Sequence, residues 1–150
     1  MNSTVGRGVL ALVLISCSML LLWWFVPRGE DIGGYLVTGA PTGDSVTVTR
    51  DGTAHTVHLA GVNAPAEGAC GAEESQQNLA QSLTGAQVVV VLDSHSNDRD
   101  AAEMVAYVEY RGTDVGLAQI REGHATVADG GFDRHAEYEA AAADAPTPCG

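Results

Sequence analysis

The chain has 150 residues and a formal charge of -12, with seven arginines, no lysine and 19 acidic residues. Once an apolar N-terminus is set aside, this length supports one domain with a modest core and not two. Six of the seven arginines follow residue 26, as do all 19 acidic residues, so no basic stripe is available to neutralise phosphates and a nucleic-acid partner is disfavoured.

Residues 8–26, GVLALVLISCSMLLLWWFV, contain no charged side chain. As a helix they reach about 30 Å, the thickness of a bilayer core. Trp23 and Trp24 sit near the end of the run, where amphipathic rings favour the headgroup region. One arginine flanks each side, Arg7 and Arg28, so charge asymmetry barely sets the orientation. An uncleaved anchor is the expected reading, with residues 1–7 cytoplasmic and 27–34 a linker. A cleaved signal peptide lacks a small-residue exit site after Trp24. A lipoprotein reading is also open, because Leu14-Ile15-Ser16-Cys17 resembles a lipobox with Cys17 as the lipidation site. Against it, nine apolar residues follow Cys17 where a polar tether is usual. Either anchor holds the domain, residues 35–144, at the outer face of a membrane.

In chain order, residues 32–36 lead into a first strand at 35–38, and Pro41-Thr42-Gly43-Asp44 reads as a turn. Residues 45–49 alternate polar and apolar like a half-buried strand. Arg50-Asp51-Gly52-Thr53 signals a hairpin returning through 56–59. Gly61 to Pro65 breaks that strand. Residues 71–83 carry a helical pattern with Ala72, Gln76, Leu79, Ala80 and Leu83 on one face, stopped at Gly85. A continuous apolar run at 88–92 has strand length. A polar loop (93–100), a strand (104–110), a short helix (115–121) and an extended piece (125–128) follow. A last helix spans 133–143, with Asp133 near its N-cap. This order fits an α+β domain built on a five-stranded, Greek-key, OB-fold-like barrel with about three helices.

Cys70 and Cys149 form an even pair in the domain and its tail (145–150). Outside the cytoplasm they are expected to oxidise, closing a loop worth about 4 kcal/mol in the chain-entropy model. The alternative is two free thiols in a cytosolic domain. The five histidines (His55, His58, His95, His124 and His135) show no metal-ligand spacing on a predicted helix. His58 alternates with Val57 and Leu59 and reads first as a hydrogen-bonded barrel histidine. Asp98, Asp100 and Glu103 form an acidic cluster that reads first as a solvated loop, with weak cation binding as the alternative.

Gly43-Asp44-Ser45-Val46-Thr47-Val48, His58-Leu59-Ala60-Gly61-Val62-Asn63-Ala64-Pro65, Cys70-Gly71-Ala72-Glu73, Val105-Ala106-Tyr107-Val108 and the segment VGLAQIREGHA (115–125) together resemble, in order and spacing, the staphylococcal-nuclease-like (thermonuclease) family. The resemblance covers about residues 35–144. It implies calcium-dependent phosphodiester hydrolysis, in which carboxylates hold the metal, a glutamate assists the attacking water and two arginines stabilise the transition state. Matched by position, the first metal carboxylate is Asp44 and the second is Asn63, which has lost its charge. The two arginines are replaced by His58 and Glu103, and the glutamate by Ala66. Glu67 and Arg99 are the nearest substitutes.

The resemblance therefore implies a degenerate active site. The expected function is a binding or accessory module at the cell envelope, with a protein or small ligand as partner, the membrane contacted through 8–26 and no cofactor. The alternatives are a divergent nuclease using calcium at Asp44, Asn63 and Glu67, and an accessory subunit of a membrane protein complex.

Overall fold

A computed structural model describes residues 31–96, 101–147 and 149 of the chain. Residues 8–26, Cys17, Asp98, Arg99 and Asp100 lie outside the described residues; among those described, no helix is long and apolar enough to cross a membrane. The elements are β1 (Asp31–Thr42), β2 (Ser45–Arg50), β3 (Thr53–Leu59), β4 (Val62–Asn63), α1 (Ala72–Leu83), β5 (Gln87–Leu92), β6 (Glu103–Tyr110), β7 (Thr113–Asp114), α2 (Val115–Arg121), β8 (Thr126–Val127) and α3 (His135–Ala142).

Strands pair in the order β3-β2-β1-β5-β6, and β3 returns to β6 to close the sheet. The β3–β6 pairing is parallel and the other barrel pairings are antiparallel. The result is a closed, five-stranded mixed barrel with three helices, compatible with an OB fold. Closure removes the exposed edges that an open sheet would offer to other chains.

The period-2 pattern of the strands sets the interior. Val37 pairs with Val48, Val46 with Val57 and Val90 with Val108, and all six are buried. Met104 and Ala106 meet Val57 and Leu59 across the closing seam. The other face of β6 is covered at Tyr107, whose ring meets Tyr138 of α3 edge to face at 6.3 Å. Helix α1 buries Leu79 and Leu83, and α2 buries Val115, Leu117 and Ile120.

The β2–β3 hairpin follows its sequence signal. Asp51 and Gly52 both take positive φ, 50° and 82°, as a type I′ turn requires. Strand β1 departs from the expectation at both ends. It begins at Asp31, inside the stretch read as a linker, and continues to Thr42, into the stretch read as a turn. One strand serves two partners: its first half pairs with β5 and its second with β2, the two meeting at Leu36, with register irregularities on both sides, at Gly33–Tyr35 and around Gly39. Isolated local patterning does not reveal such a two-partner strand. The turn itself contracts to Gly43 and Asp44.

A buried side chain ties this turn to the helices. Gln119 of α2 donates from Nε2 to the carbonyl of Gly43 at 3.0 Å and to that of Ser75 in α1 at 3.2 Å. Ser75 lies so close to Gly43 that a Cβ there would collide with its side chain; this position tolerates only glycine.

The disulfide expected from cysteine parity is present, Cys70–Cys149, with Cα atoms 6.0 Å apart and a separation of 79 residues. It fastens the C-terminal tail near the start of α1, and Pro146 packs on Gly123. Replacing Cys149 by Ser is expected to lower unfolding stability by about 2–5 kcal/mol. Urea denaturation of the oxidised wild type and the variant measures the difference.

Candidate functional site

The surface implied by the nuclease-like motifs lies where the β1–β2 turn meets the end of β3. Asp44 stands in that turn, and its carboxylate is engaged by its own neighbours. Oδ1 accepts from the hydroxyl of Thr42 at 2.6 Å, and Oδ2 accepts from the backbone N–H of Ala64 at 3.1 Å. The Asp44 carbonyl also accepts from Leu59 N–H at 2.8 Å. Asp44 thus fastens the turn to the segment that follows β3, the ordinary role of an aspartate at such a bend.

Asn63 is exposed in the short β4–β8 pairing, where Thr126 Oγ1 donates to its carbonyl at 3.2 Å. His58 and Glu103 are exposed, and His58 stands in register with Val105, itself 49% exposed. His55 Nδ1 lies 3.1 Å from the Ala101 carbonyl, while His58 is exposed on the outer side of the closing seam. Ala66 and Glu67 are exposed beyond the strand.

Calcium takes six to eight oxygen donors at short range. Asp44, with both oxygens hydrogen-bonded, and the neutral Asn63 do not supply such a set. Among the described residues, the cluster of His, Asp or Glu donors close enough to share one ion is elsewhere: Asp93, His95 and Asp133. Asp44 and Asn63 by themselves therefore do not make a calcium site, and Glu67, the third donor of the calcium alternative, is exposed beyond the strand.

That second cluster is part of a polar network that sequence reading missed. Asp93, at the end of β5, is buried. Its Oδ2 accepts from the Tyr107 hydroxyl and from Asp133 N–H, and its Oδ1 pairs with the N–H and Nδ1 of His95, each at 3.0 Å. Asp133 does not cap α3, whose first helical residue is His135. Instead it accepts from both the N–H and the hydroxyl of Ser94. Arg134 follows, with its guanidinium 4.2 Å from the centre of the Tyr107 ring. It donates to Asp114 and Glu109, each at 2.6 Å. Asp114 caps α2 through Leu117 N–H and accepts from the Tyr138 hydroxyl.

Burial alone would push the Asp93 carboxyl up, but the hydrogen bonds it accepts outweigh that and hold it below the usual carboxylate range. Burial and the bond to Asp93 push the Tyr107 hydroxyl well above the usual phenol range. Burial works against the charge on Arg134, but its bonds to Asp114 and Glu109 raise its pKa further. The local signal available in sequence was the Asp93-Ser94-His95 spacing; its third member lies 40 residues on and arrives only when α3 docks against β6.

No protein-family profile matches the chain, and no curated protein matches it in sequence. The structure shows a closed, five-stranded mixed barrel compatible with an OB fold, while the nuclease-like likeness rests on the motifs above.

Because the folded pKa of Asp93 is depressed, its stabilisation is complete above the ordinary carboxylate pKa and is lost as pH falls through the lower folded value. Asp93→Asn is expected to destabilise the protein by about 2–4 kcal/mol at neutral pH. The variant should also lose less stability than wild type between about pH 5 and pH 2. Denaturant midpoints across that range provide the comparison.

Proposed function

We propose that the chain is a membrane-anchored, extracytoplasmic binding module built on a nuclease-like barrel that no longer performs phosphodiester hydrolysis. The observation that carries this reading is the state of Asp44. The one metal-type carboxylate retained at the nuclease-equivalent positions is committed to Thr42 and Ala64. The neighbouring positions supply His58, Asn63, Ala66 and Glu103 in place of two cations and two carboxylates. A phosphodiester approaching this surface meets a negative group at Glu103, where charge stabilisation of a transition state needs fixed positive donors.

Location is supported by two sequence features. The uncharged run 8–26 has the length of a bilayer span, and the Cys70–Cys149 disulfide belongs to oxidising compartments. The acidic balance of the chain keeps such a domain soluble and disfavours polyanionic partners.

A groove of about 270 Å³ beside the Asp44 turn gives the module a surface for a ligand; Thr42, Pro65, Glu67, Glu73 and Gln76 are among the residues that form it. Gln76 is fixed there by bonds from Nε2 to the carbonyls of Ala40 and Pro41. Its two glutamates select a neutral or cationic group, such as a basic segment of a protein, over a phosphate.

The test is hydrolysis of single-stranded DNA by the purified full chain in mild detergent with calcium. The expected result is no turnover above the level of the Asp44→Ala variant. Calcium-dependent turnover that Asp44→Ala abolishes would overturn the reading and favour a divergent nuclease.

A further inference from the structure

We propose that Asp93, His95 and Asp133 form a binding site for one divalent transition-metal ion of the zinc class. The donors converge: one atom from each residue lies within 4.8 Å of the others. His95 Nδ1 is 3.0 Å from Asp93 Oδ1 and 3.8 Å from Asp133 Oδ1. Tetrahedral coordination with bonds near 2.0–2.1 Å places its ligand atoms roughly 3.3 Å apart, so these separations bracket what an ion needs, with sub-ångström adjustment.

The frame around the donors is built as a metal's outer shell is built. The far oxygen of Asp93 is held by the Tyr107 hydroxyl and the N–H of Asp133. Asp133 is held by the N–H and hydroxyl of Ser94. Both carboxylates are thus oriented by neutral donors. The guanidinium nearest in sequence, Arg134, gives its ion pairs to Glu109 and Asp114 instead. Two carboxylates, one of them buried, consequently share a single imidazole, and that is a concentration of negative charge a cation would relieve.

The donor set selects the ion. One imidazole nitrogen with two carboxylate oxygens suits zinc or cobalt. Calcium and magnesium want more oxygens and no nitrogen. His95 and Asp133 have side chains 64% and 43% exposed, which leaves a path for entry and a side open to water. Metal binding needs the His95 Nδ1 lone pair and ionised carboxylates, so protons compete with the ion for the same donors. Bound there, it would clip the segment after β5 to the segment that enters α3.

The experiment uses the full, tag-free chain in mild detergent, stripped with a chelator and titrated with Co²⁺ and then Zn²⁺. The expected result is one saturable equivalent of Co²⁺ with visible d–d absorption, displaced by Zn²⁺, and a Zn²⁺-dependent rise in Tm. His95→Ala and Asp133→Asn, both at exposed side chains, should each weaken binding by about tenfold or more while keeping the far-UV spectrum. His124→Ala should leave it unchanged. Absence of saturable binding, or binding that survives His95→Ala at full strength, would overturn the proposal.

Discussion

The parallel pairing of β3 with β6 is the constraint on which the other features depend. It converts a curled sheet into a closed barrel and decides which side chains of β3 and β6 are interior. Val57, Leu59, Met104 and Ala106 go inside, while His58, Val105 and Glu103 are left on the outside. The β2–β3 hairpin, whose register sets Ser45 opposite His58, brings the end of β3 against the β1–β2 turn, where the Asp44 carbonyl accepts from Leu59 N–H. Once that is fixed, the Asp44 carboxylate lies within reach of Ala64 N–H and becomes part of the turn.

Asp44 and Asp93 illustrate how environment separates two carboxylates of the same type. Asp44 is partly exposed and satisfies a local bend. Asp93 is buried and organises distant parts of the chain: the loop after β5, Tyr107 on β6 and the backbone entering α3. A buried carboxylate with incomplete partners costs several kcal/mol, so the network around Asp93 is complete or the fold is weakened. That completeness, through Tyr107, Arg134, Asp114 and Tyr138, also positions α3 over the barrel.

The barrel was legible in the sequence because its signals are local. Alternation at 45–49, the Asp51-Gly52 turn and the valine run at 88–92 each report a strand or hairpin within a few residues. The Cys70–Cys149 bridge followed from parity together with the expected oxidising location of the domain. The ends of β1 were not legible, since a strand that changes partner midway carries no single period. Asp133 looked like a helix cap because an aspartate just ahead of a helical pattern usually is one. Its actual partner, Ser94, lies 39 residues away, and only tertiary docking reveals it. The N-cap of α3 is Arg134, which makes no side-chain capping bond, whereas Asp114 caps α2 and joins a hairpin to that helix with no spacer.

The structural role of Asp44 is tested most directly by thermal unfolding of wild type and Asp44→Ala, each with and without calcium. Loss of its bonds to Thr42 and Ala64 is expected to lower stability by about 1–3 kcal/mol, and calcium is expected to change neither protein's Tm. A calcium-dependent rise in the Tm of wild type that is absent from Asp44→Ala would contradict this, because it would place the ion on the carboxylate assigned to the turn.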